Sequence, residues 1–287
     1  MNNKPKIVFF GTPRYAVMVL EEMHASGMTP DLIVTMPDKP AGRDLVITPP
    51  PVKVWAELHS VPVLQPEKLK DPAFLDAYKN GNFDIGVVVA YGKIIPQEVI
   101  DSPKHGILNI HGSLLPKLRG ASPIETAILQ DVKRTGVTIM LLDAEMDHGP
   151  ILAQEEVIME PWPPLAKQLG EAIVTAGAKL LVKTIPKWIA GEVTPLEQDH
   201  SKATYTRKIE KADGELSLTH NPYEEFLKFQ AFHQWPGTFF FAQKGDKKIR
   251  VVIKKAHYDF EHNELFIDRV VPEGKKEMDY DTFILSL

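Results

Sequence analysis

Short, continuously apolar runs recur along the first 160 residues, and most of them end in Gly, Pro or a polar side chain. Continuous runs, as opposed to alternating apolar and polar positions, are typical of strands covered on both faces. The pattern therefore favours a parallel sheet with crossover helices. Seven strands are predicted, at residues 6–13, 31–38, 61–66, 83–92, 106–112, 136–143 and 151–159.

Segments with helical spacing lie between these runs and after them. An alternation of strands and helices is the mark of an α/β domain. We therefore expect residues 1–190 to form a domain built on a Rossmann-like, doubly wound, mostly parallel sheet. Its helices are predicted at residues 15–26, 52–60, 123–130 and 165–190.

The pattern changes after residue 190. Residues 191–204 are polar and contain Pro, which predicts a linker. Beyond it, one helical patch at 221–232 is followed by short β-like runs in 238–271. Residues 205–287 are therefore predicted to form a second, small β or α+β domain.

The composition excludes several classes of function but does not identify the function of the chain. The chain has 287 residues, no cysteine and a net charge of −5. Disulfides and thiolate metal sites are excluded, and a non-specific nucleic-acid coat over the whole surface is disfavoured. No apolar stretch is long enough to span a bilayer, and the first residues lack a signal-peptide layout. We expect a cytoplasmic protein that does not associate with membranes.

Two polar side chains end the run at residues 106–112. Because strand side chains alternate, Asn109 and His111 point to the same face, with Ile110 opposite. Open parallel sheets bind ligands at the carboxyl ends of their strands, where an amide and an imidazole can stabilise an oxyanion and move a proton. Taken alone, the pair fits a strand-end cap better, since its spacing is not a specific signal.

Acidic residues follow the next strand, in the segment LLDAEMDHGPI. A carboxylate beside an imidazole orients it, which is the usual support for an acid/base histidine. Asp143 and Glu145 fit a solvated acidic loop, and Asp147 is a third candidate. Spacing alone leaves open which carboxylate serves His111.

Other kinds of site are disfavoured. Only one Gly follows the first strand, so the dinucleotide fingerprint is absent, and there is no P-loop. The histidines, including His257 and His262, show no metal-ligand spacing, so no metal is expected.

Residues 37–51 form a long Pro/Gly loop that carries Lys39 and Arg43, and its composition fits a phosphate contact and a solvated loop equally well.

Specific motifs now add a resemblance. NIHGSLLPKLRGASPI (109–124) followed by TGVTIMLLDAEMDHG (135–149) resembles the formyltransferases that use 10-formyltetrahydrofolate. TMPDKPAGR (35–43), VVVAYGKIIP (87–96) and AFHQWPGTF (231–239) resemble the methionyl-tRNA formyltransferases within that family. The likeness extends over nearly the whole chain.

The resemblance implies a formyltransferase domain at residues 1–190, an abbreviated OB-like domain at 205–287, and formyl transfer to initiator methionyl-tRNA without a metal. A monomer is expected. The implied catalytic residues are Asn109, His111 and Asp147, and Lys39 and Arg43 would contact the tRNA. The implied folate-binding residues are Val89, Ala90, Tyr91, Gly92, Ser113, Leu114, Leu115 and Pro116.

The chain departs from the family pattern at two places. The Arg43 loop continues with Asp44, Leu45 and Val46 where the family has more glycine and lysine, and the C-terminal domain is short. Both changes concern the parts of the chain expected to bind tRNA, and neither affects folate binding or the formyl transfer reaction. One alternative is a formyltransferase for amino sugar nucleotides; another is an idle protein that keeps the fold and binds folate or RNA.

Overall fold

The computed structural model describes residues 4–42 and 45–287. They group into two compact units that interleave along the chain. The first unit contains the residues up to 119, 136–157 and 171–205. The second contains 120–135, 158–170 and 206–287. The predicted functional domains, separated by a linker at residues 191–204, stay a prediction.

The strands fall close to the predicted runs, with short additional ones between them. In chain order they are β1 (Ile7–Gly11), β2 (Leu32–Val34), β3 (Lys39–Ala41), β4 (Val46–Thr48), β5 (Val63–Leu64), β6 (Ile85–Val89), β7 (Ile107–His111), β8 (Arg119–Gly120), β9 (Thr135–Leu141), β10 (Ile151–Val157), β11 (Tyr205–Thr206), β12 (Thr238–Lys244), β13 (Lys247–Asp259), β14 (Glu264–Pro272) and β15 (Met278–Asp279).

The helices include the four predicted in the first 190 residues and the one predicted at residues 221–232. In chain order they are α1 (Arg14–Ala25), α2 (Pro51–Leu58), α3 (Pro72–Lys79), α4 (Gln97–Ile100), α5 (Pro123–Leu129), α6 (Ala166–Ile189), α7 (Pro222–Phe232) and α8 (Tyr280–Ile284). No helix in the described ranges is both long enough and apolar enough to cross a membrane.

A seven-stranded sheet organises the first unit, in the order β10-β9-β7-β6-β1-β2-β5. Neighbouring strands from β7 to β5 are parallel, and β9 runs antiparallel to β7. The α/β fold with a mostly parallel sheet is therefore confirmed. As a result, the carboxyl ends of β1, β6 and β7 lie side by side at one edge.

Both faces of this sheet are covered, as the continuous apolar runs predicted. In β1, Ile7 and Phe9 belong to one buried cluster, and Val8 and Phe10 belong to another. All four side chains are fully buried. Each alternate face of the strand therefore packs against its own hydrophobic layer, which removes apolar surface from water on both sides.

Helix α6 lies close against one face because it carries a glycine at the contact. A Cβ on Gly177 would lie 2.8 Å from side-chain atoms of both Ile110 and Val137. Ile110 is the residue of β7 between Asn109 and His111. This close packing holds the strand from behind, while its two polar side chains point to the other face.

The second unit contains a four-stranded antiparallel sheet in the order β12-β13-β14-β15. Its core is mainly aromatic and β-branched, and it includes Phe226 and Phe229 of α7, Phe240, Val251 and Phe283 of α8. The register of β13 against β14 shifts between Ile253 and Ala256. The small antiparallel sheet expected near the C-terminus is therefore confirmed, and a domain bounded at residues 205–287 stays a prediction.

The prediction that residues 37–51 form a loop without secondary structure is wrong in part. Strands β3 and β4 pair antiparallel, with Pro40 opposite Ile47. The strand residues Val46 and Ile47 are more than 60% exposed, so no buried face imposes an alternation that could be recognised in the sequence. Arg43, which follows β3, lies outside the described residues.

Candidate active site

The site begins at the carboxyl end of β7, where two polar side chains share a face. His111 is 5% exposed and Asn109 is partly buried. Both belong to a strand that is hydrogen-bonded to β6 on one side and to β9 on the other. Pairing on both sides, together with the packing of Ile110, holds the two side chains at fixed positions.

Asp147 approaches this pair from the loop that follows β9. Its Oδ1 atom lies 3.4 Å from Asn109 Nδ2 and 3.4 Å from His111 Nδ1. The Asp147 side chain is only 13% exposed. The three side chains therefore converge on one point. A spacing of 3.4 Å is at the long end for a hydrogen bond.

The second ring nitrogen of His111 has a different partner. His111 Nε2 lies 2.9 Å from the carbonyl oxygen of Leu118. Because a carbonyl oxygen only accepts hydrogen bonds, Nε2 carries a proton and donates it. In the neutral imidazole the unprotonated nitrogen is then Nδ1, the atom that faces Asp147. Leu118 thus sets the tautomer of His111 through its main chain.

The loop between His111 and Leu118 is held by one internal hydrogen bond and by hydrogen bonds from β9 and β10. Ser113 Oγ donates to the Lys117 carbonyl at 2.6 Å, and Thr138 Oγ1 donates to the Ser113 carbonyl at 2.6 Å. Gln154 Nε2 donates to the Leu115 carbonyl at 2.9 Å. Ser113 and Leu115 are buried, so their side chains shape this loop. Leu114 and Pro116 are partly exposed, so a ligand can contact them.

Residues 89–92 lie beside this loop, since Val88 of β6 pairs with Asn109. Ala90 and Gly92 both have positive φ, at 47° and 91°, so the chain turns sharply after the strand. Tyr91 between them is 2% exposed, and burial raises the pKa of its phenol to about 12. The segment therefore offers its main chain at the sheet edge and keeps the Tyr91 ring in the core.

The neighbouring carboxylates have other roles. Asp143 Oδ2 lies 2.6 Å from His148 Nδ1, and Asp143 Oδ1 accepts from the Glu145 amide at 2.9 Å. The Glu145 side chain is 73% exposed. Asp143 thus orders its own loop, and Asp147 is the candidate that reaches His111. Spacing could not distinguish them.

Lys39 is exposed on β3. Burial, followed by the positive charge of Lys39, lowers the pKa of Lys93, which directly follows the turn at residues 89–92. The predicted role of Arg43 concerns a residue outside the described ranges.

Sequence reasoning missed two buried side chains near the site. Arg119 is 1% exposed and Gln198 is 5% exposed. Arg119 belongs to the LRG part of the motif at 109–124, so a signal for it existed, whereas nothing in its surroundings singled out Gln198. Within the described residues, no group of three or more His, Asp or Glu side chains is placed to hold a metal ion.

Comparisons with known proteins show which family the chain resembles. Residues 5–185 match the family model described as "Formyl transferase". The methionyl-tRNA formyltransferase of Chloroflexus aurantiacus is 45% identical over 238 residues, which are 82% of this chain and 76% of that protein.

Solved structures show the same fold at lower identity. A methionyl-tRNA formyltransferase from Clostridium thermocellum has a TM-score of 0.62 at 15% identity, with 96% of this chain and 99% of that chain covered. A sugar N-formyltransferase from a Shewanella species has a TM-score of 0.65 at 18% identity, with 88% and 98% covered.

Proposed function

Because this chain belongs to the formyl transferase family, and within it to the methionyl-tRNA formyltransferases, we propose that it transfers a formyl group from 10-formyltetrahydrofolate to the α-amino group of initiator methionyl-tRNA. The observation that carries this proposal is the convergence of Asn109, His111 and Asp147 at the carboxyl end of β7. The product of this transfer serves translation initiation.

The chemistry requires an oxyanion site and a proton acceptor. The neutral amine attacks the formyl carbon and a new C–N bond forms, while the carbonyl oxygen gains negative charge. Asn109 Nδ2 and the protonated Nδ1 of His111 donate to that oxygen. Collapse of the tetrahedral intermediate breaks the bond to the folate nitrogen. One preorganised donor of this kind is worth roughly 3–4 kcal/mol of transition-state stabilisation.

Asp147 has two roles in this scheme. Its carboxylate stabilises the charged imidazole of His111, and it accepts the proton that the attacking amine must lose. That proton is then available to the departing folate nitrogen. Nε2 of His111 keeps its proton because it donates to the Leu118 carbonyl. The proton that makes the imidazole positively charged is therefore the one on Nδ1, the nitrogen that faces Asp147.

The formyl donor would bind against the main chain of two adjacent segments. Residues 89–92 turn sharply at the end of β6, and residues 113–116 form the braced loop after β7. Ala90 and Gly92 are exposed and offer main-chain groups, and Leu114 and Pro116 add partly exposed apolar side chains. Tyr91, Ser113 and Leu115 are buried. Backbone donors and acceptors suit a heterocycle that must be held in one orientation.

The acceptor would reach the site past the β3–β4 hairpin. Lys39 and Arg43 are the cations that we assign to tRNA phosphates in this region. We further propose that the protein acts as a monomer in the cytoplasm, without membrane association, and that no metal takes part.

An acceptor of another class, an amino sugar nucleotide, is less supported. The sugar N-formyltransferase shares the fold at 18% identity, and the clostridial tRNA enzyme shares it at 15%, so fold likeness does not separate the two acceptors. The 45% identity to a methionyl-tRNA formyltransferase does favour one of them.

A side-by-side assay tests the proposal. The purified chain is given 10-formyltetrahydrofolate with initiator methionyl-tRNA, or with an amino sugar nucleotide, and formylated product is measured. Turnover is expected with methionyl-tRNA as the acceptor and not with the amino sugar nucleotide. The His111→Ala variant, prepared identically, accounts for any formyltransferase carried over from the expression host. Turnover with the sugar nucleotide and none with the tRNA would reverse the assignment.

A further inference from the structure

The side-chain amide of Gln198 is hydrogen-bonded to the loop that carries Asp147, and all of its donors and acceptors are occupied. The Nε2 atom of Gln198 donates to the main-chain carbonyls of Asp147 at 3.0 Å and Gly149 at 2.7 Å. Its Oε1 atom accepts from Arg119 Nε at 3.1 Å and from Arg119 Nη2 at 2.6 Å. Both N–H groups and both lone pairs of this one amide are therefore engaged.

These partners leave Gln198 a single orientation. If its amide were rotated by 180°, the NH₂ group would face a guanidinium that has only donors, and the oxygen would face two carbonyls. The side chain is 5% exposed, so water cannot replace the original partners at low cost. Gln198 is thus a rigid bridge between Arg119 and the loop of Asp147.

Arg119 makes the bridge strong. Its guanidinium is always charged and is 1% exposed, and hydrogen bonds from a charged donor are roughly twice as strong as neutral ones. A second N–H of Nη2 points to His200 Nδ1 at 2.8 Å. In the described part of the chain, this guanidinium therefore donates to amide, imidazole and phenol groups.

Asp147 needs such support. Its φ of +50° lies in the left-handed region, which costs most residues other than glycine roughly 1–2 kcal/mol and costs Asp somewhat less. Its carboxylate meets Asn109 and His111 at 3.4 Å, where a small displacement would break both interactions. The Asp147 carbonyl, on the same residue, is the group that Gln198 holds.

We propose that Gln198, braced by the buried guanidinium of Arg119, is a positioning residue that keeps Asp147 in the strained conformation required for formyl transfer. This inference rests on the proposed function. Gln198 touches neither substrate and acts only through Asp147. Its effect therefore falls on the chemical step and leaves the binding of folate and tRNA unchanged.

The test compares kcat with KM. In Gln198→Met, which keeps length and apolar packing, kcat for methionyl-tRNA is expected to fall about 10-fold to 100-fold, the range for a misplaced catalytic group. Both KM values should stay within about twofold. The matched control is Gln230→Met in the second unit, where Nε2 donates to the Pro163 carbonyl at 2.6 Å. The control should keep the wild-type kcat even where it lowers the melting temperature.

A second variant separates positioning from folding. Gln198→Glu keeps a carboxylate oxygen paired with the buried guanidinium of Arg119, which favours folding, but its other oxygen faces the two carbonyls without donating to them. It should fold with the Arg119 pair intact and still show a reduced kcat. In an Asp147→Asn background, Gln198→Met should have little further effect on the residual rate, because the residue through which it acts no longer carries a charge.

Three results would overturn the inference. Wild-type kcat in both Gln198 variants would remove the role of this residue. An undiminished effect in the Asp147→Asn background, or an effect confined to KM, would place its action elsewhere. Wild-type turnover is measured first: no formylation by the wild-type chain would defeat the proposed function itself, which is a distinguishable failure.

Discussion

The Nε2 atom of His111 lies 2.9 Å from the carbonyl oxygen of Leu118, whereas the Nδ1 atom of the same ring lies 3.4 Å from Asp147 Oδ1. The two ring nitrogens therefore have separate tasks: one fixes the imidazole to the braced loop, and the other faces Asp147. Substitutions that imitate one nitrogen at a time can separate these tasks.

Replacing His111 tests this division. His111→Gln can still donate to the Leu118 carbonyl, and it should lose turnover while keeping nearly wild-type stability. His111→Ala should lose turnover and also about 1–3 kcal/mol of unfolding free energy, because a buried carbonyl is left without a donor. Steady-state kinetics and urea unfolding measure the two effects. Equal stability of both variants would show that the hydrogen bond to Leu118 contributes little.

The Asp147→Asn variant is expected to fold normally but to lose most of its activity. Asparagine adopts positive φ more readily than most residues, so Asp147→Asn should fold normally. Loss of the carboxylate removes the partner of the charged imidazole, and kcat should fall at least about 100-fold. Circular dichroism and formylation assays check the two parts. A variant with near-normal kcat would exclude Asp147 from proton transfer.

The proposed tRNA-binding cations predict a salt dependence. Removing one cation that binds a phosphate should lower the slope of log K against log salt by about one. Arg43→Ala and Lys39→Ala should therefore each weaken methionyl-tRNA binding and flatten this slope. Folate affinity should not change. The measurement is the KM for methionyl-tRNA at two salt concentrations.

The control for these variants is Lys104→Ala. Lys104 is 70% exposed and pairs with Asp84, which precedes β6 at the opposite end of the strands from the site. Its slope should match that of the wild type. If Arg43→Ala and Lys39→Ala also match the wild type, the hairpin has no role in tRNA binding.

Glu225 in the second unit predicts a pH-dependent stability. Burial raises the pKa of this carboxyl above its ordinary value of 4.5. The native state therefore favours the protonated form: the stability that this group contributes is greatest below pH 4.5 and declines as pH rises through the raised pKa. Glu225→Gln removes the ionisation, and its amide oxygen can still accept from the Ser217 amide, which contacts Glu225 Oε2 at 3.2 Å.

Thermal unfolding measured across pH distinguishes the outcomes. At about pH 8 the wild type should melt at a lower temperature than the Glu225→Gln variant, and the difference should disappear near pH 4, where the carboxyl is protonated in both the native and the unfolded state. A variant that is less stable than the wild type at both pH values would show that the ionised carboxylate stabilises this fold.

The sequence by itself determined the elements that rest on local periodicity. Continuous apolar runs identified the sheet strands, because a strand covered on both faces needs apolar side chains at every position. Alternation placed Asn109 and His111 on one face, and this follows from the geometry of a single strand. The hairpin of β3 and β4 was missed, since its exposed residues have no buried face to impose a pattern.

Only the tertiary structure decided which groups meet those two side chains. Asp143, Glu145 and Asp147 are close in sequence, and only a left-handed turn at Asp147 directs one carboxylate to His111. Leu118 acts through a main-chain carbonyl, which is identical in every residue type. Gln198 reaches Asp147 across 51 positions. Such contacts depend on where the folded chain returns, and no local pattern carries that information.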